Sequence, residues 1–192
     1  MFRSTEFMMS QRKSEQKTDV KKAMGMGIGV VEVETLTNIA YGFPLKYIDN
    51  ETKKILIEKY VKTGVIDDVN HIDFYVPRCL FMTGKMVPCV YGTAVTSALK
   101  EMAGLAGKPF KYTFSILGIY FDENDVSLLV RKITVNKNEQ RTQTLAITEI
   151  IRSGAHGVLL YEGQIPPELM VPRITLGRLK SKGFGRIIIH WK

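Results

Sequence analysis

Apolar and polar positions alternate in the first regular segment of the chain. Val31, Val33 and Leu36 are apolar, and polar Glu32 and Glu34 lie between them. A period of two residues is typical of a strand with one buried face. The pattern therefore predicts a half-buried first strand.

A helical period follows Pro88. Val95 and Leu99 repeat at helical spacing, Thr93 is the predicted N-cap, and Gly107 is the predicted end. This segment is the best helix in the sequence. A shorter helix is predicted within residues 52–62, inside an insertion at about residues 43–87. Insertions of this length in a compact domain are usually functional.

The second half of the chain reads as strands. "KYTFSILGIYF" and "VSLLVRKITV" are predicted to form a β-hairpin, "NKNEQRTQ" is a polar tip, and further strands follow. "IPPELMV" allows one helical turn before a closing strand in "GFGRIIIHWK". This order is close to β-α-β-β-α-β with an eroded second helix, so we predict an α+β fold with a ferredoxin-like core.

The length of 192 residues and a hydrophobic content of 45% indicate one domain with a well-formed core. We expect a flexible N-terminal arm at residues 1–22 and a single domain at residues 23–192. No apolar run is long enough to span a membrane, and no secretion signal is evident, so a cytoplasmic protein is expected. Cys79 and Cys89 lack a zinc-site spacing and are predicted to be reduced thiols.

Basic residues are in excess, with 27 Lys and Arg against 19 Asp and Glu. The excess makes nucleic acid the first partner to test, although solubility alone can explain a basic protein. The skew is strongest after Met170, where no acid occurs. Three glycines and four cations make this tail a candidate phosphate cradle: Gly177, Arg178, Lys180, Lys182, Gly183, Gly185 and Arg186. A glycine turn with solvated lysines is the alternative.

The tail "LGRLKSKGFGRI" is similar to the C-terminal glycine-rich motif of the RAMP superfamily of CRISPR-associated proteins, whose members have ferredoxin-like, RRM-related folds. The segment around Asp73 resembles the type III backbone subunits of that superfamily. There an Asp is followed five residues later by Arg, then by a Thr-Gly turn and by Pro. Asp73, Arg78, Thr83-Gly84 and Pro88 occur in this order. The hairpin around "NKNEQRTQ" resembles the thumb-like hairpin of the family.

The resemblance implies a guide-RNA-binding backbone subunit that assembles with copies of itself and with other effector subunits in antiviral defence. Asp73 would then cleave the paired target RNA with Mg²⁺ as a metal-dependent endonuclease. Residues implied in RNA binding outside the tail are Arg78, Thr93, Lys100, Arg131, Lys132 and Arg141. Thr93 and Lys100 substitute here for the Gly-Ser-Ser-Leu-Lys pattern that this chain lacks.

Each site residue has a plainer interpretation. Asp73 could be a solvated or turn-capping acid, with Asp67 and Asp68 as rival carboxylates, and Arg78 could pair with an acid in place of a phosphate. The hairpin cations could be solvated. The extended segment at residues 71–88 carries Asp73 and is called the Asp73 arm. We expect the glycine-rich tail and the Asp73 arm to face the same RNA strand.

Three other functions remain open. The chain could be a non-catalytic structural subunit of a type I or type IV complex, a stand-alone guide-processing ribonuclease, or an interaction module that binds no RNA. RNA of uniform length in a purified sample would separate the first of these from the last.

Overall fold

The computed structural model of the chain describes residues 27–62, 72–108, 113–137 and 140–191. The predicted N-terminal arm, Asp67 and Asp68 lie outside these residues. The strands are β1 (Ile28–Thr35), β2 (Ile72–Phe74), β3 (Arg78–Leu80), β4 (Met86–Tyr91), β5 (Phe114–Tyr120), β6 (Val126–Lys137), β7 (Gln140–Ile151), β8 (His156–Gly163), β9 (Arg173–Thr175) and β10 (Arg186–His190). The helices are α1 (Asn50–Lys62) and α2 (Gly92–Met102).

The larger sheet has the strand order β3-β4-β5-β8-β1-β10-β9, and all its pairs are antiparallel. Its central four strands run β5-β8-β1-β10, which is the arrangement of a ferredoxin-like core. The predicted second helix is reduced to one 3-10 turn, Pro167–Leu169. The α+β, ferredoxin-like fold prediction is confirmed.

Alternation in β1 produces the expected buried face. Val31 and Val33 are buried between the sheet and α2, while Glu32 is exposed. Val95 and Leu99 of α2 pack into the same core. Burial of these apolar side chains fixes α2 on the sheet and so sets where its outer face lies. No helix in the described part of the chain is long and apolar enough to cross a membrane.

A second, three-stranded sheet has the order β2-β7-β6. β6 and β7 form the long hairpin with the polar tip. The predicted hairpin between β5 and β6 is wrong, because these strands belong to different sheets. Asp122 redirects the chain between them: its side chain accepts the Asn124 N–H at 2.8 Å and caps a 3-10 turn, Glu123–Asp125.

Helix boundaries also differ from the prediction. Asp49 caps α1, since its carboxylate accepts the Thr52 N–H at 2.8 Å. α2 begins at Gly92, and Thr93 is therefore not its cap. A Cβ at Gly92 would lie 1.6 Å from the Ile116 carbonyl oxygen, so only glycine fits there. α2 ends at Met102, before Gly104 with φ +69° in place of Gly107.

The prediction of two reduced cysteines is wrong, because Cys79 and Cys89 form a disulfide. The turn at Gly84 folds β3 back onto β4 and brings the two Cα atoms to 5.8 Å. That separation is ordinary for a disulfide. The cross-link joins the Asp73-bearing arm to the strand that leads into α2.

Candidate nucleic-acid interface

The glycine-rich tail has the backbone that its composition predicts. Gly177 and Gly185 have φ values of +79° and +87°, and a Cβ at either would meet a carbonyl oxygen, at 2.6 Å from Ala40 and at 1.8 Å from Leu176 respectively. Leu179 also adopts a left-handed conformation, with φ 61°. A non-glycine residue in this region costs about 1–3 kcal/mol and occurs mainly at functional sites. The tail therefore lies tightly against the rest of the fold.

A groove of about 340 Å³ separates the tail from α2. Ala94, Ser97 and Glu101 of α2 form one wall, and Gly177, Arg178 and Lys180 form the other. Arg178, Lys180, Lys182 and Arg186 are all exposed. The fold thus places two of the predicted cations, Arg178 and Lys180, in the groove opposite α2, and Lys182 and Arg186 are exposed further along the tail.

Lys180 has an acidic neighbour in the groove. Its Nζ lies 3.6 Å from the Glu101 carboxylate, and the two side chains are 44% and 65% exposed. An ion pair this exposed contributes about 0–1 kcal/mol. A phosphate can displace the Glu101 carboxylate at little cost.

Arg178 joins the tail to the Asp73 arm. Its guanidinium lies 4.4 Å from the centre of the Phe74 ring, next to Asp73 in the chain. A cation–π contact at this distance holds the guanidinium over the ring, and because Arg178 is exposed its N–H groups can still donate to phosphate. The backbone supports this contact, because Ala40 pairs with Arg178 and Phe43 pairs with Tyr75. The tail and the arm therefore meet at one place.

Asp73 is paired with the long hairpin. Its Oδ2 accepts a hydrogen bond from Arg131 Nη2 at 3.0 Å, and the same nitrogen lies 3.3 Å from Thr148 Oγ1. The Arg131 and Asp73 side chains are 22% and 30% exposed. The Arg131 Nε is buried and has no hydrogen-bond acceptor among the described residues. Two of the predicted site residues thus form one half-buried ion pair.

Arg78 lies in a carboxylate cage. Its guanidinium donates to Glu149 and to Glu123, each at 2.6 Å, and its side chain is 11% exposed against 1% for Glu149. Burial disfavours the charge, but these hydrogen bonds outweigh it and raise the pKa of Arg78. Glu149 also accepts the Val76 N–H at 3.0 Å. Of the two interpretations of Arg78, the structure shows the pairing with acids.

Glu123 completes this cage on the solvent side. Lys59 of α1 contacts Glu123 at 2.9 Å and Glu149 at 3.6 Å. Burial would raise the pKa of Glu123, but the hydrogen bonds from Arg78 and Lys59 lower it below its ordinary value. The cage ties α1, the arm and β7 together. It is a structural cluster at the base of the arm.

The remaining predicted residues are dispersed. Thr93 is exposed and Lys100 is half-buried, and neither lines the groove. Lys132 is exposed on β6. The backbone of Arg141 pairs with Asn136, but its side chain lies outside the described part of the chain.

Comparison with known proteins gives a likeness in structure only. No protein-family profile and no curated protein match the chain. Among the solved structures, 24 chains match. In fold, the chain is similar to a Type III-B Cmr-beta chain. That chain comes from the cryo-EM structure of the Type III-B Cmr-beta bound to cognate target RNA, with a TM-score of 0.53 and 12% identity.

The match covers 94% of this chain and 65% of the Cmr-beta chain. This chain therefore spans less than two thirds of the length of that relative. At 12% identity the likeness to the Cmr-beta chain concerns the fold.

The side-chain donors near Asp73 decide whether a metal ion fits there. Among the described residues, no group of three or more His, Cys, Asp or Glu side chains could hold a metal ion. Asp73 contributes one carboxylate, which is paired with Arg131. Such a set fits Mg²⁺ only where phosphate oxygens and water complete the octahedron.

Sequence reasoning missed the aromatic side of the groove. Tyr41 and Phe43 line it together with Arg178, although they precede the tail by more than 130 residues. Phe74 was missed as the partner of Arg178. The stretch from Tyr41 to Phe43 contained a usable signal, namely two aromatic residues around a glycine in the loop that follows the first strand. Glu149 gave no such signal, because it lies within a β-strand pattern.

Proposed function

We propose that this chain binds RNA in the groove between α2 and the glycine-rich tail, as the guide-binding backbone subunit of a type III-like CRISPR ribonucleoprotein. The contact of Arg178 with Phe74 carries the proposal, because it joins the cationic tail and the Asp73 arm on one continuous surface. The likeness in fold to the Cmr-beta chain, from a structure bound to target RNA, supports this reading.

Recognition would be electrostatic and independent of sequence. Arg178 and Lys180 line the groove, and Lys182 and Arg186 follow on the same exposed tail. Lys and Arg that neutralise phosphates release counterions, so RNA affinity should fall steeply with salt. Sequence would be selected by pairing between guide and target. Partners would be guide RNA, target RNA, copies of the chain and other effector subunits.

Target cleavage at Asp73 is the finer part of the proposal. The Asp73 carboxylate would accept the proton of a ribose 2′-hydroxyl. The 2′ oxygen would then attack the adjacent phosphorus, and the 5′ oxygen of the next nucleotide would leave. Arg131, at 3.0 Å from the carboxylate, can turn to the phosphate and neutralise charge on it. Asp73 would be the residue that holds Mg²⁺, and the ion would supply further positive charge to the reacting phosphate.

A second candidate is a non-catalytic structural subunit of the same kind of particle. The Asp73–Arg131 ion pair favours it, because a carboxylate held by a guanidinium is a weaker base and a poorer metal ligand. Both candidates require RNA in the groove. They differ only in whether the Asp73–Arg131 pair opens.

RNA binding is tested with Arg178→Ala/Lys180→Ala and a 30-nucleotide single-stranded RNA, by fluorescence anisotropy at several salt concentrations. Loss of two phosphate contacts should lower the salt slope by about 1–2. Lys54→Ala/Lys108→Ala is the charge-matched control, since both lysines are exposed and neither lines the groove. Equal losses of RNA affinity and salt slope in both double variants would show that only net charge matters, and would contradict RNA binding in the groove.

Cleavage is tested with the assembled particle, a complementary RNA and Mg²⁺. Asp73→Asn should abolish cutting and leave assembly and RNA affinity unchanged. Because the Asp73–Arg131 pair is only half-buried and Asn can still accept a hydrogen bond from Arg131, the variant should unfold close to the wild-type midpoint. Cutting by the variant at the wild-type rate would assign the chain to the structural role.

A further inference from the structure

Three aromatic rings cluster at the end of the groove. Tyr91 lies 5.8 Å from Phe43 and 6.4 Å from Tyr41, measured between ring centroids. Phe43 is 46% exposed and Tyr91 is 37% exposed. Neighbouring exposed aromatic rings form an apolar patch, and contiguous apolar patches mark sites of contact with a partner.

The two exposed rings are held on a fixed backbone. Phe43 and Tyr75 exchange both backbone hydrogen bonds, at 3.0 and 2.8 Å. A Cβ at Gly42 would lie 1.7 Å from the Tyr75 carbonyl oxygen, so the chain approaches here as closely as glycine allows. On the other side, the Tyr41 hydroxyl accepts the Tyr91 N–H at 3.4 Å. These backbone contacts fix the positions of Phe43 and Tyr91, so their rings stay at the surface.

The rings border the cations of the groove. Phe43 and Tyr41 line the same cavity as Arg178 and Lys180. The Arg178 N–H donates to the Ala40 carbonyl at 2.7 Å, so the arginine and the aromatic segment are joined through the backbone. A cationic groove with adjacent aromatic faces matches a ligand that alternates phosphates with flat, apolar rings. A protein partner would not require that alternation.

We propose that Phe43 and Tyr91 form a stacking platform for one nucleobase of the single-stranded RNA whose phosphates contact Arg178 and Lys180. This rests on the proposed function and adds a base-dependent contact to it. Because every base has a π-face, the platform accepts any base and preserves sequence-independent binding. The exposed faces of both rings are the contact surface, and Tyr41 is their support.

The test uses full-length protein and a 12-nucleotide single-stranded RNA with 2-aminopurine scanned through each position. Stacking on Phe43 should quench the fluorescence of 2-aminopurine when the probe occupies one particular position of the bound RNA. Phe43→Ala should remove the quenching and weaken binding by roughly 5- to 150-fold, with an unchanged salt slope. Phe43→Leu and Tyr91→Leu retain apolar bulk and should each reduce the quenching if the fold is intact by circular dichroism. Tyr47→Ala, an aromatic side chain that is 71% exposed and outside the groove, is the matched control.

The outcomes separate the platform from the proposed function. Wild-type affinity and quenching in Phe43→Leu, Tyr91→Leu and Phe43→Ala, with weakened binding in Arg178→Ala, would overturn the platform and leave the RNA groove. No RNA binding by the wild-type chain would remove both. If Phe43→Ala changes only the self-association measured by sedimentation, the rings are a contact between copies, and the platform is overturned.

Discussion

Arg78 and Arg178 are both basic residues that the sequence assigned to RNA, and the fold uses them in opposite ways. Arg78 is 11% exposed and is enclosed by Glu149 and Glu123 at the base of the arm. Arg178 is exposed at the groove and rests on the Phe74 ring. One guanidinium is neutralised by the protein, and the other keeps its edge available to a ligand.

The difference shows why a count of cations does not locate a nucleic-acid site. An acid that neutralises an arginine can lie far away in sequence, as Glu149 does from Arg78, at a separation of 71 residues. Removing one partner of a buried ion pair strongly destabilises the fold, because the remaining charge is then neither paired nor solvated by water. Exposed cations contribute little to folding and act through bound phosphate.

The largest expected effect is at Arg78. Arg78→Ala leaves the 1% exposed Glu149 without its principal cation, and the free energy of unfolding should fall by about 3–5 kcal/mol. Urea denaturation at pH 7 measures it, with the exposed Arg173→Ala as control. A loss below about 1 kcal/mol would remove the distinction between the two arginines.

A smaller effect on stability is expected at Arg178. Removing its cation–π contact with Phe74 should change the free energy of unfolding by about 0.5–1 kcal/mol. The same variant should lower the salt slope of RNA binding by about 1. Arg178→Lys retains the charge and should recover the slope, but not the fixed orientation. Destabilisation as large as that of Arg78→Ala would show that Arg178 is structural too.

The smallest effect concerns pH. The folded-state pKa of Glu123 is lowered, so its contribution to stability is complete above the unfolded-state pKa of about 4.3 and is lost as the pH falls through the lower folded-state value. Between pH 6 and pH 3, the free energy of unfolding should therefore fall less in Glu123→Gln than in wild type. The difference should be at most about 1 kcal/mol, because the Glu123 side chain is half exposed. Parallel urea titrations at the two pH values measure this. Identical pH profiles would contradict the pairing of Glu123 with Arg78 and Lys59.

The core of the fold was predictable because it depends on local period. Alternation in β1 and the helical spacing of Val95 and Leu99 each predict a buried face. In the structure, Val31 and Val33 of the first pattern and both residues of the second are buried. The hairpin between β5 and β6 was mispredicted because two adjacent strand patterns do not say which sheet each joins. That choice depends on the Asp122 turn and on packing against α1.

The candidate site was predictable only in part. The tail was recognisable because its glycines and cations are contiguous in sequence. Phe43, Phe74 and Glu149 were not, since each acquires its role from a partner that is distant along the chain. The cap at Asp49 was not predicted, although Asp is one of the residues preferred at a helix N-cap.

The link between Cys79 and Cys89 makes the arm sensitive to its chemical surroundings. Closing a loop of this size removes conformational entropy worth about 3 kcal/mol from the unfolded arm. Thiol reductants break the disulfide and so abolish this stabilisation. In the cytosol, glutathione keeps most cysteines reduced. Asp73 and the entrance to α2 would then be held together by packing and by the Arg78 cage alone. Samples handled with and without dithiothreitol should therefore be treated as two distinct species.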